Sequence, residues 1–189
     1  MAFLARCSIM PAPPTFRYHP DPISTGAVVP SRNRCVCCGQ MRDYIYAGPV
    51  YALEEYAERL CPWCIADGSA NQKLDVTFTD EDGIGEGEWD RVPEDVVQEV
   101  ACRTPGFSGW QQERWWTHCG DAGAFLGRAG RAELEAAGVD AVEAIRGDTG
   151  LDGAAWTGFL NALDKDGSPT AYLFRCLHCG ALGGYQDCD

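Results

Sequence analysis

Two cysteine pairs, each spaced two residues apart, constrain this chain more than any other feature. Cys35-Val36-Cys37-Cys38-Gly39 and Cys61-Pro62-Trp63-Cys64 stand 22 residues apart, slightly beyond the roughly 15 to 20 residues usual within a zinc ribbon. A C-x-x-C segment bends so that its two sulfurs converge, and two such segments close a tetrahedron around one Zn²⁺ with no position left for water. A closed site folds protein and performs no chemistry itself. Gly39 suits a tight turn in which backbone N–H groups point at thiolate sulfurs, which selects Cys35 and Cys38, rather than Cys37, to join Cys61 and Cys64. The rival reading is redox: Cys61-Pro-Trp-Cys64 could head a helix whose N-terminus activates the first thiolate. That chemistry needs a single pair and a βαβ unit before it, whereas this chain has a matching second pair and no such unit.

Cys176-Leu177-His178-Cys179-Gly180 repeats the knuckle and calls for partners. His118-Cys119 is the best remaining source, so a second zinc is expected on His118, Cys119, Cys176 and Cys179. Two neighbouring residues seldom face one ion comfortably, which makes Cys119 the firmer third ligand and leaves His178, Cys102 and Cys188 as alternatives to His118 for the fourth. The bland alternative buries His118 and Cys119 beside the tryptophans as core residues. A three-ligand zinc with an open position would instead be catalytic, with Glu113 the nearest upstream carboxylate. No H-E-x-x-H, and no H-x-E with P-C-x-x-C, is present, so protease and deaminase signatures are missing.

Length and composition bound the rest. A chain of 189 residues, 46% hydrophobic with six tryptophans, can build one real core. Eleven cysteines in a disulfide scaffold would suit a short exported chain, and no signal segment or membrane-length apolar run is visible, so a cytoplasmic location without membrane association is expected. The formal net charge of -13 argues against direct nucleic-acid binding, which runs on Lys and Arg, and makes a basic protein the attractive partner.

Along the chain, residues 1–15 read as a flexible leader and residues 16–189 as a single domain, with a zinc-ribbon-like module over residues 30–70. FRYHPDP (16–22) reads as an extended strip, because residues before proline avoid helical geometry. A strand is expected at Tyr44–Tyr46 and an acidic helix over LEEYAERL (53–60). The acidic, glycine-rich stretch Asp80–Asp90 reads as an exposed loop without the ligand order of a calcium site. Within it Asp80, Glu81, Asp82, Glu86 and Glu88 are the candidate partner-binding residues, a solvated connector being the bland alternative. Pro93-Glu94-Asp95 starts a helix with Val96, Val97 and Val100 on its apolar face, ended by Thr104-Pro105-Gly106. Helices are expected from Ala132 to Gly138 and from Val139 to Gly147. Trp156, Phe159, Leu160 and Leu163 form a core stripe. Trp110, Trp115 and Trp116 read as core with a polar rim, or as a recognition surface. His19 and Asp21 have no nucleophile nearby, so a structural hydrogen bond is the reading there. The fold class is α+β: a ribbon-like module packed on a mostly helical body, closed by a C-terminal zinc-knuckle hairpin.

The segments FRYHPDPISTG (16–26), CVCCG (35–39), YIYAGPVY (44–51), CPWCIADGSA (61–70), RTPGFSGWQQERWWTHCGD (103–121) and YLFRCLHCG (172–180) together resemble the CbrC family. The leader and residues 132–170 fall outside that likeness. The resemblance implies a bacterial cytosolic protein and supplies no reaction. The family's namesake is linked to tolerance of a nuclease colicin, so the expectation is a zinc-binding, non-catalytic protein that protects against a toxin, with a zinc enzyme acting near Cys119, Cys176 and Cys179 as the alternative. A nucleic-acid adaptor ranks last, because ribbons that touch nucleic acid are usually basic. The oligomeric state is not legible.

Overall fold

The computed structural model describes residues 12–189, so most of the expected leader lies outside the described residues. Phe16, Tyr18 and His19 are buried against the body, with the Tyr18 carbonyl accepting from Phe125 N at 2.8 Å. The segment thus lies against the body, but it bends at Arg17, Tyr18 and Pro20 and turns from Pro22, so the extended strip expected there does not form.

Strands β1 (Val28–Pro30) and β2 (Tyr44–Tyr46) pair antiparallel, Val28 opposite Tyr46. The turn between them carries Cys35–Cys38. Two short helices follow, α1 (Pro62–Ala66) and α2 (Ser69–Leu74). Val28, Tyr46, Leu60, Ile65, Val76 and Phe78 bury together with Cys35, Cys61 and Cys64, so the cysteines sit inside an apolar cluster. The second pair thus stands at the start of a helix and not in a second hairpin.

No helix forms over residues 53–60, contrary to expectation. Leu53 is fully exposed and Glu58 has φ +52. An isolated eight-residue helix is marginal in water, and this one would have had little to pack on. The chain instead runs on irregularly until Leu60 is buried and its carbonyl accepts from Tyr46 N at 2.8 Å. That bond sets Cys61 beside the first pair.

Helix α3 (Glu94–Arg103) follows Pro93, buries Val100, Ala101 and Cys102, and stops at Thr104, as expected. A two-stranded hairpin, β3 (Thr117–His118) with β4 (Asp121–Ala122), leads into β5 (Ala124–Ala129). Strands β5, β6 (Thr170–Arg175) and β7 (Leu182–Asp187) form an antiparallel sheet in that order.

The chain between β5 and β6 holds α4 (Arg131–Ala137), α5 (Val139–Thr149) and α6 (Gly153–Ala162). Side chains of β6 alternate. Ala171 and Leu173 join Leu134, Ala141, Ile145 and Trp156 of the helices. Tyr172 and Phe174 meet Phe107, Trp115, Phe125 and Tyr185 in an aromatic core. The body is therefore a helical layer on a sheet, and not the mostly helical unit expected. Helix α5 also runs past Gly147, because the positive φ that ends it is supplied by Gly150 (+63). The stripe ending at Leu163 is core as read. Among the described residues, no helix is long and apolar enough to cross a membrane.

Candidate metal centres

The buried turn and the start of α1 bring Cys35, Cys38, Cys61 and Cys64 into one group. Their sulfurs lie 3.9 Å apart for Cys35 and Cys64, 3.9 Å for Cys38 and Cys61, and 3.6 Å for Cys61 and Cys64. Zinc–sulfur bonds of about 2.3 Å in a regular tetrahedron place sulfurs about 3.8 Å apart, whereas a disulfide needs about 2.05 Å. The four can hold a metal ion, and no two are at disulfide distance. Gly39, at φ +69, closes the first knuckle with its N–H on the Cys35 carbonyl at 2.8 Å. Cys61 N donates to Cys35 Sγ at 3.3 Å.

Electrostatics favour a cation there. Hydrogen bonding from Cys61 pulls the Cys35 thiol well below its ordinary value, even though burial opposes it. Cys61 and Cys64 are pushed up, Cys61 chiefly by its hydrogen bond to Cys35 and Cys64 chiefly by burial. One sulfur gives up its proton readily and its neighbours then resist, which is the behaviour of anions crowded together without a counter-ion. Cys37 is not in the group. Its sulfur faces Ser69 Oγ at 3.6 Å.

His118, Cys119, Cys176 and Cys179 form the second group. His118 Nδ1 lies 3.2 Å from Cys119 Sγ and 3.5 Å from Cys179 Sγ. Nitrogen and sulfur on one tetrahedral zinc stand about 3.6 Å apart. The adjacency of His118 and Cys119 is resolved by the backbone: Cys119 has φ +56, which swings consecutive side chains to the same point. Gly180 (φ +77) closes this knuckle as Gly39 closes the first, with its N–H on the Cys176 carbonyl at 3.1 Å. Burial pushes the Cys176 thiol up, but N–H groups of Cys179 and His178 and the side chain of His118 bring it down to about 6. Trp116 stacks on the His118 ring, 5.3 Å between centroids and 8° from parallel. The two groups differ in exposure. Three of the first four residues are buried, while Cys119 and Cys179 face solvent.

A family model described as "Uncharacterised protein family (UPF0167)" matches residues 13–188. The chain belongs to this family. The UPF0167 proteins Mb2317 of Mycobacterium bovis and MT2352 of Mycobacterium tuberculosis are each 52% identical to it over 182 residues, covering 92% of both chains. UPF0167 protein PA1536 of Pseudomonas aeruginosa is 42% identical over 171 residues, 90% of this chain and 94% of its own. No solved structure matches.

The alternatives for a fourth ligand in this UPF0167 chain lie outside the second group. Cys102 is buried against Gln98 Oε1 at 3.4 Å, and Cys188 is exposed beyond β7. His178 Nε2 faces Asp121 Oδ2 at 2.8 Å. Asp121, which the sequence reading missed, also accepts from Tyr18 Oη at 2.7 Å and Arg17 at 2.5 Å. Its place directly after His118-Cys119-Gly120 was the available signal. Glu113 does not serve the second group in any contact; it accepts from Tyr51 Oη at 2.6 Å. His19 is structural as read, with Nδ1 on the Pro105 carbonyl at 2.6 Å and Nε2 on Thr25 Oγ1 at 2.7 Å, while Asp21 accepts from Ser24 N.

The acidic stretch is less of a free loop than expected. Gly83 and Ile84 are buried, and Gly83 O and Gly85 N bond Trp115 N and O at 2.8 and 3.0 Å. This pins the backbone and leaves the carboxylates outward. Asp80, Asp82 and Glu86 line a cleft of 630 Å³ with Gln111, Gln112, Glu113, Arg114, Tyr185 and Asp187. Glu86 and Glu88 also line a neighbouring cleft of 600 Å³ that reaches Trp116 and His118. Glu81 lines neither and takes Gln98 Nε2 at 3.1 Å. Of the three tryptophans, Trp115 and Trp116 are core, while Trp110 is 44% exposed.

Proposed function

We propose that this chain is a zinc-binding, non-catalytic protein that acts by holding a basic protein partner, a bacterial toxin such as a nuclease domain, and so confers tolerance or immunity. The observation that carries the reading is the pair of four-donor groups. Each has the full donor number of a structural zinc site, in the cysteine-rich chemistry that zinc prefers, with no position left over for substrate or water. The partner follows from charge: at -13 the surface attracts basic proteins, and a nuclease is basic where it holds phosphate. The choice of a toxin follows the likeness to the CbrC family.

The second reading, a zinc enzyme near Cys119, Cys176 and Cys179, has one observation in its favour, the 600 Å³ cleft beside His118. A fourth donor in that group weighs against it. Native mass spectrometry of the protein from its host decides between them. Two zinc ions and a basic co-purifying protein are expected, with one ion lost in each of Cys64→Ser and Cys179→Ser. Fewer than two zinc ions, with the chain alone or carrying a small molecule, would overturn the binder reading.

A further inference from the structure

Solvent reaches the two cysteine groups unequally. In the first, Cys35, Cys61 and Cys64 are buried and Cys38 is partly buried; in the second, Cys119 and Cys179 are exposed while Cys176 is buried. The two exposed sulfurs come from distant parts of the chain. Cys119 stands in the turn between β3 and β4, and Cys179 in the turn between β6 and β7, 60 residues later. They belong to one set whose donor atoms all lie within 4.8 Å of one another. A disulfide needs about 2.05 Å, so these sulfurs have at most about 2.8 Å to close. Neither turn is packed in at that point, because a Cβ added at Gly120 or at Gly180 would meet nothing within 4 Å.

A thiolate bound to a metal is already the anionic form that an oxidant attacks, and access then decides which sulfur reacts. Both turns are also held by bonds that need no metal. Gly180 N donates to the Cys176 carbonyl at 3.1 Å, Cys176 N to the Ala181 carbonyl at 2.8 Å, and Gly123 N to the Trp116 carbonyl at 2.9 Å. Asp121 Oδ2 meets His178 Nε2 across the two turns at 2.8 Å. Cys119 and Cys179 therefore still face one another once an ion has left.

We propose that Cys119 and Cys179 are a modification site for hydrogen peroxide, which joins them in a disulfide and releases the zinc ion of the second group. The inference rests on the reading of that group as a zinc site and adds a reaction of its exposed half. One thiolate attacks the peroxide: an S–O bond forms, the O–O bond breaks and hydroxide leaves. The other thiolate then attacks that sulfur: the S–S bond forms, the S–O bond breaks and a second hydroxide leaves. The two hydroxides take two protons from solvent and become water. The sulfurs together lose two electrons and the peroxide gains them. With His118 and Cys176 as its remaining donors the ion is released, and the disulfide takes over the tie between the β3–β4 turn and the β6–β7 turn. His118, which lines the 600 Å³ cleft, is freed in the same step.

The test treats the zinc-loaded full chain with hydrogen peroxide in modest excess, alongside a Cys188→Ser variant that lacks the exposed thiol beyond β7. Native mass spectra count the ions before and after, and peptide mapping of the alkylated protein locates the bond. One of two zinc ions is expected to be lost, the chain to become lighter by two hydrogens, and a single disulfide to join Cys119 to Cys179, equally in Cys188→Ser. A dithiol with added zinc should restore the starting mass. Loss of both ions together, a disulfide between Cys176 and Cys179 or within the Cys35 group, oxidation to sulfinic acid without a disulfide, or no reaction in Cys188→Ser would each overturn the assignment. A chain that carries two ions and keeps both under peroxide sinks the modification site alone. Fewer than two ions before peroxide is added sinks the metal reading of the second group, and this site with it.

Discussion

Replacing Gly183 by alanine tests whether the aromatic packing behind the second metal group is as tight as its geometry says. Gly183 lies on β7, and a Cβ built there falls 2.0 Å from Trp116 Cε2, 2.1 Å from Cζ2 and 2.6 Å from Nε1. Ordinary contact begins at 3.4 Å, so the indole would have to retreat by about 1.4 Å. Its one open side is the 600 Å³ cleft that it lines together with Gly183. Gly123 approaches the same ring so closely that its own Cβ would stand 2.7 Å from Cε3, and the ring stacks on His118. Forcing a methyl into a packed core costs about 1 to 3 kcal/mol, and with the ring held on two sides and a cleft on a third a loss within that range is expected. Urea denaturation of the zinc-loaded protein measures the loss. A chromophoric chelator measures the second consequence, faster zinc release from the group containing His118 with the rate from the Cys35 group unchanged. A change below about 0.5 kcal/mol with both release rates intact would refute the argument.

Three further outcomes are expected. With both groups loaded with zinc, chelation should proceed in two phases, the first from the group with the exposed Cys119 and Cys179 and lost selectively in Cys179→Ser; a single phase would contradict the exposure difference. Tyr46→Phe should destabilise by about 1 to 3 kcal/mol, because the Tyr46 hydroxyl accepts from buried Gly106 N at 3.1 Å and donates to the Pro49 carbonyl at 2.8 Å, and urea midpoints report it. Burial lowers the His19 imidazole from 6.5 to about 4, against the hydrogen bond to Pro105 that raises it, so the unfolded chain takes up its proton first as pH falls. Stability present above about pH 6.5 is then lost towards pH 4, about 1.3 kcal/mol of it between pH 7.5 and 5.5, and a His19→Gln variant should lack that increment relative to wild type.

What was legible in the sequence was local. A C-x-x-C-G knuckle carries its own turn, so both knuckles could be read from a few residues each, and Pro93-Glu94-Asp95 announced α3 in the same way. The partner of the second knuckle was harder. His118 and Cys119 reach the same point only because Cys119 adopts φ +56, and nothing in the residue type demands that. No helix forms over residues 53–60 because helix propensity alone does not hold so short a segment without a face to pack against, and Leu53 is fully exposed. The three-stranded sheet was underestimated since β5 and β6 are separated by three helices, and their pairing is a property of the folded chain. The acidic stretch was legible as charge, but not as the wall of a cleft. Its buried members, Glu113 and Asp187, lie 74 residues apart, one before β3 and the other on β7.

Asp121 couples distant parts of the molecule. It joins Arg17 and Tyr18, more than 100 residues upstream, to His178, 57 residues downstream. One carboxylate thus ties the earliest described stretch of chain to the second knuckle. Loop closure over such spans is slow compared with forming a local turn. Phe16 packs in the apolar cluster around Cys35 and Cys61, whereas Arg17 and Tyr18 reach across to Asp121. A disturbance at the second knuckle is therefore carried through Asp121 to the buried Tyr18, far away in the sequence.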